Sequence, residues 1–306
     1  MRFNVLATAL VLGLAAVGSA HAERLTDQPL VDAAWLNGHL GQPGLVIIDI
    51  RDKTKDGAPY AAGHVPGAVE AQYSAYGWRA SIDGAPGLLP KLDDISARIA
   101  ALGVNDDTQV VIVPDGSSIS EFGGATRVYW TFKVLGHDNV TILDGGYKAW
   151  TAAGEPVSTD VVTPKAGTFV AKFRPELRAE VAEVQQAIKD DVNLIDARSV
   201  AQFIGKEKTS TVKELGTIPT AVNINFDKFW DPQTNRFASK AAIEALVQQA
   251  GLVDKDGVIT FCTTGHLASI AWFGLSEVAG LKHVRLYDGS MSQWTLDPAR
   301  PVVVQN

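Results

Sequence analysis

The sequence predicts an α/β protein of two similar domains, each a mostly parallel sheet with helices on both faces. Two observations predict it. Short apolar runs rich in Val and Ile alternate with helical stretches, which implies parallel strands joined by crossover helices that cover both faces of a sheet. The whole alternation then occurs again about 145 residues further on. The 306 residues suffice for two ordinary domains, and 46% hydrophobic with 20% charged content describes a folded, soluble chain.

The first copy opens with a helical stretch at 31–36 and a strand at 45–51, Leu-Val-Ile-Ile-Asp-Ile-Arg. A loop follows at 63–68, Gly-His-Val-Pro-Gly-Ala, then a helix at 95–102, a strand at 110–113 and a helix at 124–135. The closing run at 140–150 is Val-Thr-Ile-Leu-Asp-Gly-Gly-Tyr-Lys-Ala-Trp. The second copy repeats the order: helix 181–188, strand 193–198, proline loop 216–221, helix 241–250, strand 258–261, helix 268–279 and closing run 284–294. The Asp-to-Trp spacing is the same in both closing runs, Asp144 to Trp150 and Asp288 to Trp294. The expected division is an export signal at 1–22, a first domain at 23–155, a linker at 156–172 and a second domain at 173–306. Pro156, Pro164 and Gly167 break any periodicity in the linker.

The first 22 residues read as a secretory signal. Arg2 is a minimal basic region, 5–17 is apolar but too short to span a bilayer, and Ala20 and Ala22 place small residues where a signal peptidase inspects them. No later segment approaches the eighteen or so apolar residues of a membrane helix. The mature protein is expected to be exported to a compartment such as the bacterial periplasm, without a membrane anchor. A net charge of −7 argues against nonspecific nucleic-acid binding.

The chain has one cysteine, Cys262, between the strand at 258–261 and the helix that follows. At such a junction the first helical N–H groups lack partners and favour an anion, so a thiolate is stabilised there. A lone thiol in an oxidising compartment is a liability. The bland reading is a buried cysteine acting as a small hydrophobe. The first copy has the same junction without a thiol, because its strand runs into Pro114-Asp115, with a longer loop before Ala125. The fold therefore does not require a cysteine there, which moves Cys262 from packing toward chemistry.

Four signals recur in order in both halves. They are Asp-x-Arg after an apolar strand (Asp49/Arg51 and Asp196/Arg198), the proline loop, the strand ending at the cysteine position, and the Asp-Gly closure before Trp. Together they resemble the tandem rhodaneses, two-domain sulfurtransferases, over nearly all of residues 25–306. The resemblance implies two rhodanese-like domains, an inactive first and a catalytic second, with the site near the cleft between them. It implies Cys262 as the nucleophile and a persulfide carrier of sulfur. Thr263, Thr264, Gly265, His266, Leu267 and Ala268 form the loop that would meet the donor, their amides stabilising its negative charge, with Gly265 permitting the tight curl. Arg198 is a further candidate for donor contact, although it and Asp196 also read as a structural brace. No cofactor is implied. The partners would be a small sulfur donor and a thiophilic acceptor such as cyanide or a thiol, with a protein acceptor also open.

The loop departs from familiar patterns. A Cys-x5-Arg phosphatase would need a cation at Ala268. Related sulfurtransferases often place a substrate-binding arginine where this chain has Gln202; Lys206, Lys208, Lys213 and Arg236 are the alternative cations on neighbouring loops. His266 either tunes the thiol or faces solvent. A Cys-His hydrolase would need an oriented third group, and none is recognisable. The six histidines show no metal-ligand spacing, and His64 reads as a loop residue. Asp144 and Asp288 read as turn formers, and Trp130, Trp150, Trp272 and Trp294 as core. A non-catalytic binding module and a persulfide carrier remain competing classes. For the export reading, N-terminal sequencing of the mature protein is expected to begin at Glu23; a retained Met1 would contradict it.

Overall fold

The computed structural model describes residues 24–55, 57–190, 192–252 and 257–305. The segment read as an export signal lies outside them. The first sheet has five strands in the order Leu30–Val31, Val140–Leu143, Gln109–Val113, Leu45–Asp49, Val69–Glu70, all parallel. The second has four in the matching order, Val284–Leu286, Val258–Phe261, Asn193–Asp196, Val222–Asn223, also parallel. The outermost strand of the first sheet is reduced in the second to a single bridge between Arg178 and Leu286. The inner strands Gln109–Val113 and Val258–Phe261 are buried along their whole length, as strands covered on both faces must be.

Helix starts follow local chemistry. Asp32 caps Ala33–His39 by accepting the Trp35 amide at 2.7 Å, and Ser239 caps Lys240–Gln249. The helix expected at 124–135 begins earlier, at Ile119, because Ser118 is an N-cap whose hydroxyl accepts the Glu121 amide. The first-domain junction loop is therefore 114–118, only one residue longer than 262–265 in the second. The segment 156–172 does not hang free. Ser158 pairs with His64 through both backbone groups, Gly167 donates to Ala100, and buried Phe169 donates to Val104. Val303 makes the equivalent double pairing with Thr217 in the second domain.

The domains share one apolar core. Helix Ile119–Val134 lies against the helix that follows the cysteine: the Thr126 and Ser269 hydroxyls are 2.8 Å apart, and Tyr129 meets Phe273 edge to face at 4.9 Å. Each domain also sends a hairpin to the other. The first hairpin, Ala80–Ile82 with Ala85–Leu88, leads to Leu89, whose amide donates to Asp288 at 2.7 Å. The second, Trp230–Asp231 with Arg236–Phe237, brings the Phe237 amide to Asp144 at 3.0 Å. Asp144 and Asp288 thus do more than form turns. They accept hydrogen bonds across the domain boundary in a near-twofold exchange.

Asp288 is the more burdened of the two. It is 1% exposed, takes Arg178 Nε at 3.0 Å and is the sole carboxylate beside Arg127, at 3.6 Å, among the described residues. Arg127 is wholly buried. Removing one partner of a buried pair leaves the other charge uncompensated, so Asp288→Ala is expected to lower stability by about 3–5 kcal/mol in urea unfolding. An unchanged midpoint would show that Asp288 does not neutralise Arg127.

Candidate active site

Cys262 stands one residue beyond strand Val258–Phe261 and is 1% exposed. The loop turns back at Gly265, whose φ of +73° starts helix His266–Trp272. A side chain there would strike the Asp288 carbonyl oxygen at 2.5 Å and Arg127 Nη1 at 2.8 Å, so glycine is required twice over.

The closing run holds this loop. Met291 donates to the Cys262 carbonyl at 3.0 Å and Ser292 to that of Thr263 at 2.9 Å. The same ladder stands in the first domain, where Tyr147 donates to Pro114 and Lys148 to Asp115. Pro114 therefore occupies the place of Cys262. One position differs. Ser290, with φ +50°, replaces Gly146, with φ +61°. A left-handed conformation costs a non-glycine residue roughly 1 kcal/mol or more and persists only where the surroundings enforce it. The Ser290 hydroxyl supplies the compensation. It accepts the amides of Cys262 and Gly265, each at 3.0 Å, donates to Tyr287 at 2.9 Å, and lies 4.0 Å from Cys262 Sγ. The sequence reading missed Ser290, yet the repeat carried a signal: a residue with a β-carbon where its twin has glycine.

The loop amides divide. That of Gly265, expected to face the donor, is taken by Ser290. Those of Thr263 and Thr264 donate to no group among the described residues. Ala268 is buried, and the partly buried Leu267 packs against the core, so what they could present to a donor is their backbone.

Arg198, a candidate for donor contact, is a brace. It is 1% exposed, grips Asp196 through Nε at 2.9 Å and Nη2 at 2.6 Å, and donates to the Gly216 carbonyl at 2.8 Å. Arg51 does the same to Asp49 and Gly63 where no thiol exists. The pair therefore ties the proline loop to the sheet in both domains. Among the cations weighed from sequence, Lys208 donates to the Val212 carbonyl and Arg236 lies against Asp144 of the first domain. Neither is directed to the thiol.

His266 is partly buried, and both ring nitrogens are engaged by the first domain. Its Nε2 is 2.8 Å from the Ser120 carbonyl, which can only accept, so Nε2 carries the proton and Nδ1 accepts from the Tyr73 hydroxyl at 2.8 Å. Burial, aided by Arg79, pushes the imidazole pKa down to about 4. A neutral ring cannot stabilise the thiolate by charge; it joins the start of the thiol's helix to the first domain. The first domain also brings Arg127, whose Nη1 is 3.5 Å from the Gly265 carbonyl, and Arg79, 4.8 Å over the Tyr73 ring. None of Tyr73, Arg79 and Arg127 belongs to a repeated motif, and the reading from sequence passed over all three.

The mouth of the first domain is filled differently. Glu121 accepts the amides of Asp115 at 2.7 Å and Gly116 at 2.8 Å, and burial pushes its pKa up to about 7. A cavity of about 460 Å³ opens there, reaching Tyr73 and His266.

Below its ordinary pKa near 6.5, His266 is charged in the unfolded chain but neutral in the folded one until about 4. Stability is therefore expected to fall as pH drops through that window, and His266→Gln should fall less steeply. His137, also depressed by burial, contributes equally to both proteins. Parallel urea midpoints from pH 7 to 4 would remove this account of His266.

Comparison with known proteins places this geometry. Residues 32–153 and 180–297 each match the rhodanese-like domain. The chain is 31% identical over 291 residues to thiosulfate sulfurtransferase of Corynebacterium glutamicum, covering 90% of this chain and 88% of that one. It is 27% identical over 289 residues to the sulfur carrier protein TtuD of Thermus thermophilus, covering 91% and 95%. The crystal structure of SseA from Escherichia coli, a 3-mercaptopyruvate sulfotransferase, superposes with a TM-score of 0.74 at 27% identity, over 86% of this chain and 98% of that one. The chain belongs to the rhodanese-like family and carries two such domains in tandem.

Proposed function

We propose that this sulfurtransferase moves sulfane sulfur from a thiosulfate- or 3-mercaptopyruvate-type donor to a thiophilic acceptor through a persulfide on Cys262. The observation that carries the reading is the twin junction. The first domain repeats the ladder, the brace and the turn around Pro114, so the thiol at 262 is the added part. Similarity to a thiosulfate sulfurtransferase supports the donor class.

Cysteine is the side chain that can attack sulfur and then hold it as a persulfide. The Cys262 thiolate attacks the outer sulfur of thiosulfate. A new S–S bond forms, the old one breaks, and sulfite leaves with the electron pair. Cyanide or a thiolate then takes the terminal sulfur, returning the Cys262 thiolate. Both steps carry negative charge past Thr263 and Thr264, whose amides are free to meet it. Near-complete burial of the thiol suits a small donor and shields the persulfide from stray thiols.

A carrier that passes the sulfur to a protein acceptor is the second reading, favoured by similarity to TtuD. Export to a periplasm-like compartment belongs to the same proposal. Intact mass after incubation with thiosulfate or mercaptopyruvate is expected to show a gain of one sulfur atom, absent in Cys262→Ser. No gain with either donor would reject both readings and leave a binding module. Turnover with cyanide marks an enzyme; loading without turnover marks a carrier.

A further inference from the structure

A cleft of about 310 Å³ lies between the first hairpin and the cysteine loop, with Tyr73, Arg79, Gly87, Thr211 and Thr264 among its walls. Thr264 is two residues beyond Cys262. Gly87, at φ +88°, lets the hairpin rest on the loop, since a β-carbon there would stand 2.4 Å from the Thr264 carbonyl oxygen. The cleft therefore runs along the edge of the thiol loop, and its far wall belongs to the other domain.

Arg79 is half-buried in this wall. Among the described residues it has no carboxylate partner and no hydrogen bond; its guanidinium rests over the Tyr73 ring. It is close enough to depress the pKa of both His266 and Arg127. Asp288 is shared between Arg127 and Arg178 and makes no ion pair with Arg79. One positive charge beside the thiol loop is thus left without a counterion among the described residues, on a cleft that Thr264 of that loop also lines. A guanidinium forks two N–H donors onto carboxylate or sulfonate oxygens.

The geometry points to Arg79, on the first domain, as the residue that binds the anionic end of the sulfur donor. This deepens the sulfurtransferase reading and rests on it. It assigns to the domain without the cysteine the charge that Gln202 does not supply in the domain with it. For thiosulfate, Arg79 would hold sulfonate oxygens while the outer sulfur meets Cys262, and sulfite would leave past the same guanidinium.

Two measurements test this. In the first, loading of Cys262 by thiosulfate is followed by intact mass in the wild type, Arg79→Gln and Arg79→Lys. Losing a charged hydrogen-bond donor is expected to raise the half-saturating thiosulfate concentration about ten- to hundredfold in Arg79→Gln, with Arg79→Lys between. In the second, Cys262 is alkylated with iodoacetate and with iodoacetamide, which share chemistry but differ in a carboxylate. Arg79→Gln is expected to slow iodoacetate about tenfold or more while leaving iodoacetamide unchanged. An iodoacetate-to-iodoacetamide ratio equal to wild type would overturn the assignment, whatever thiosulfate does. A wild type that takes no sulfur while the ratio changes in Arg79→Gln would keep the anion site and reject the sulfurtransferase reading instead.

Discussion

Residues 288–291 hold the thiol loop and the first domain at once. The Asp288 carboxylate takes the Leu89 amide from across the boundary and Arg178 from its own domain, while lying beside the buried Arg127. Two residues on, Ser290 collects two amides of the cysteine loop, and Met291 holds the Cys262 carbonyl. A buried charge pair sits beside a strained, fully bonded serine, and each restricts the other. The position of Cys262 is therefore a property of the domain interface as much as of its own sheet. The thiol belongs to the second domain, but its surroundings are assembled from both.

Much of this was legible in the chain. The inner strands announce themselves as apolar runs, and the spacing from Asp to Trp in the closing runs marks the repeat. The Asp-x-Arg pairs were legible as a repeat, and of the two readings open for Arg198, donor contact and brace, the geometry shows the brace in both domains. The buried tryptophans also follow the reading: Trp150 and Trp294 bond to the carbonyls of Pro156 and Pro301 after each closing helix.

What was not legible lies between the domains. Tyr73 and His266 are 193 residues apart, and Leu89 and Asp288 are 199 apart. No period or local spacing encodes such contacts. Asp144 and Asp288 look like turn residues because they are, and their second role appears only when the partner domain arrives. Helix Ile119–Val134 carries paired glycines, Gly123 and Gly124, that weaken intrinsic propensity. Its cap and its burial against the second domain outweigh them.

Glu121 marks how the two junctions differ. Its carboxyl group accepts the amides of Asp115 and Gly116 in the loop that matches the cysteine loop, whereas the matching amides of Thr263 and Thr264 have no acceptor among the described residues. A thiol engineered at position 114 would meet amide donors already taken by Glu121. Giving that junction a working thiol would therefore require vacating the cradle as well as supplying the nucleophile.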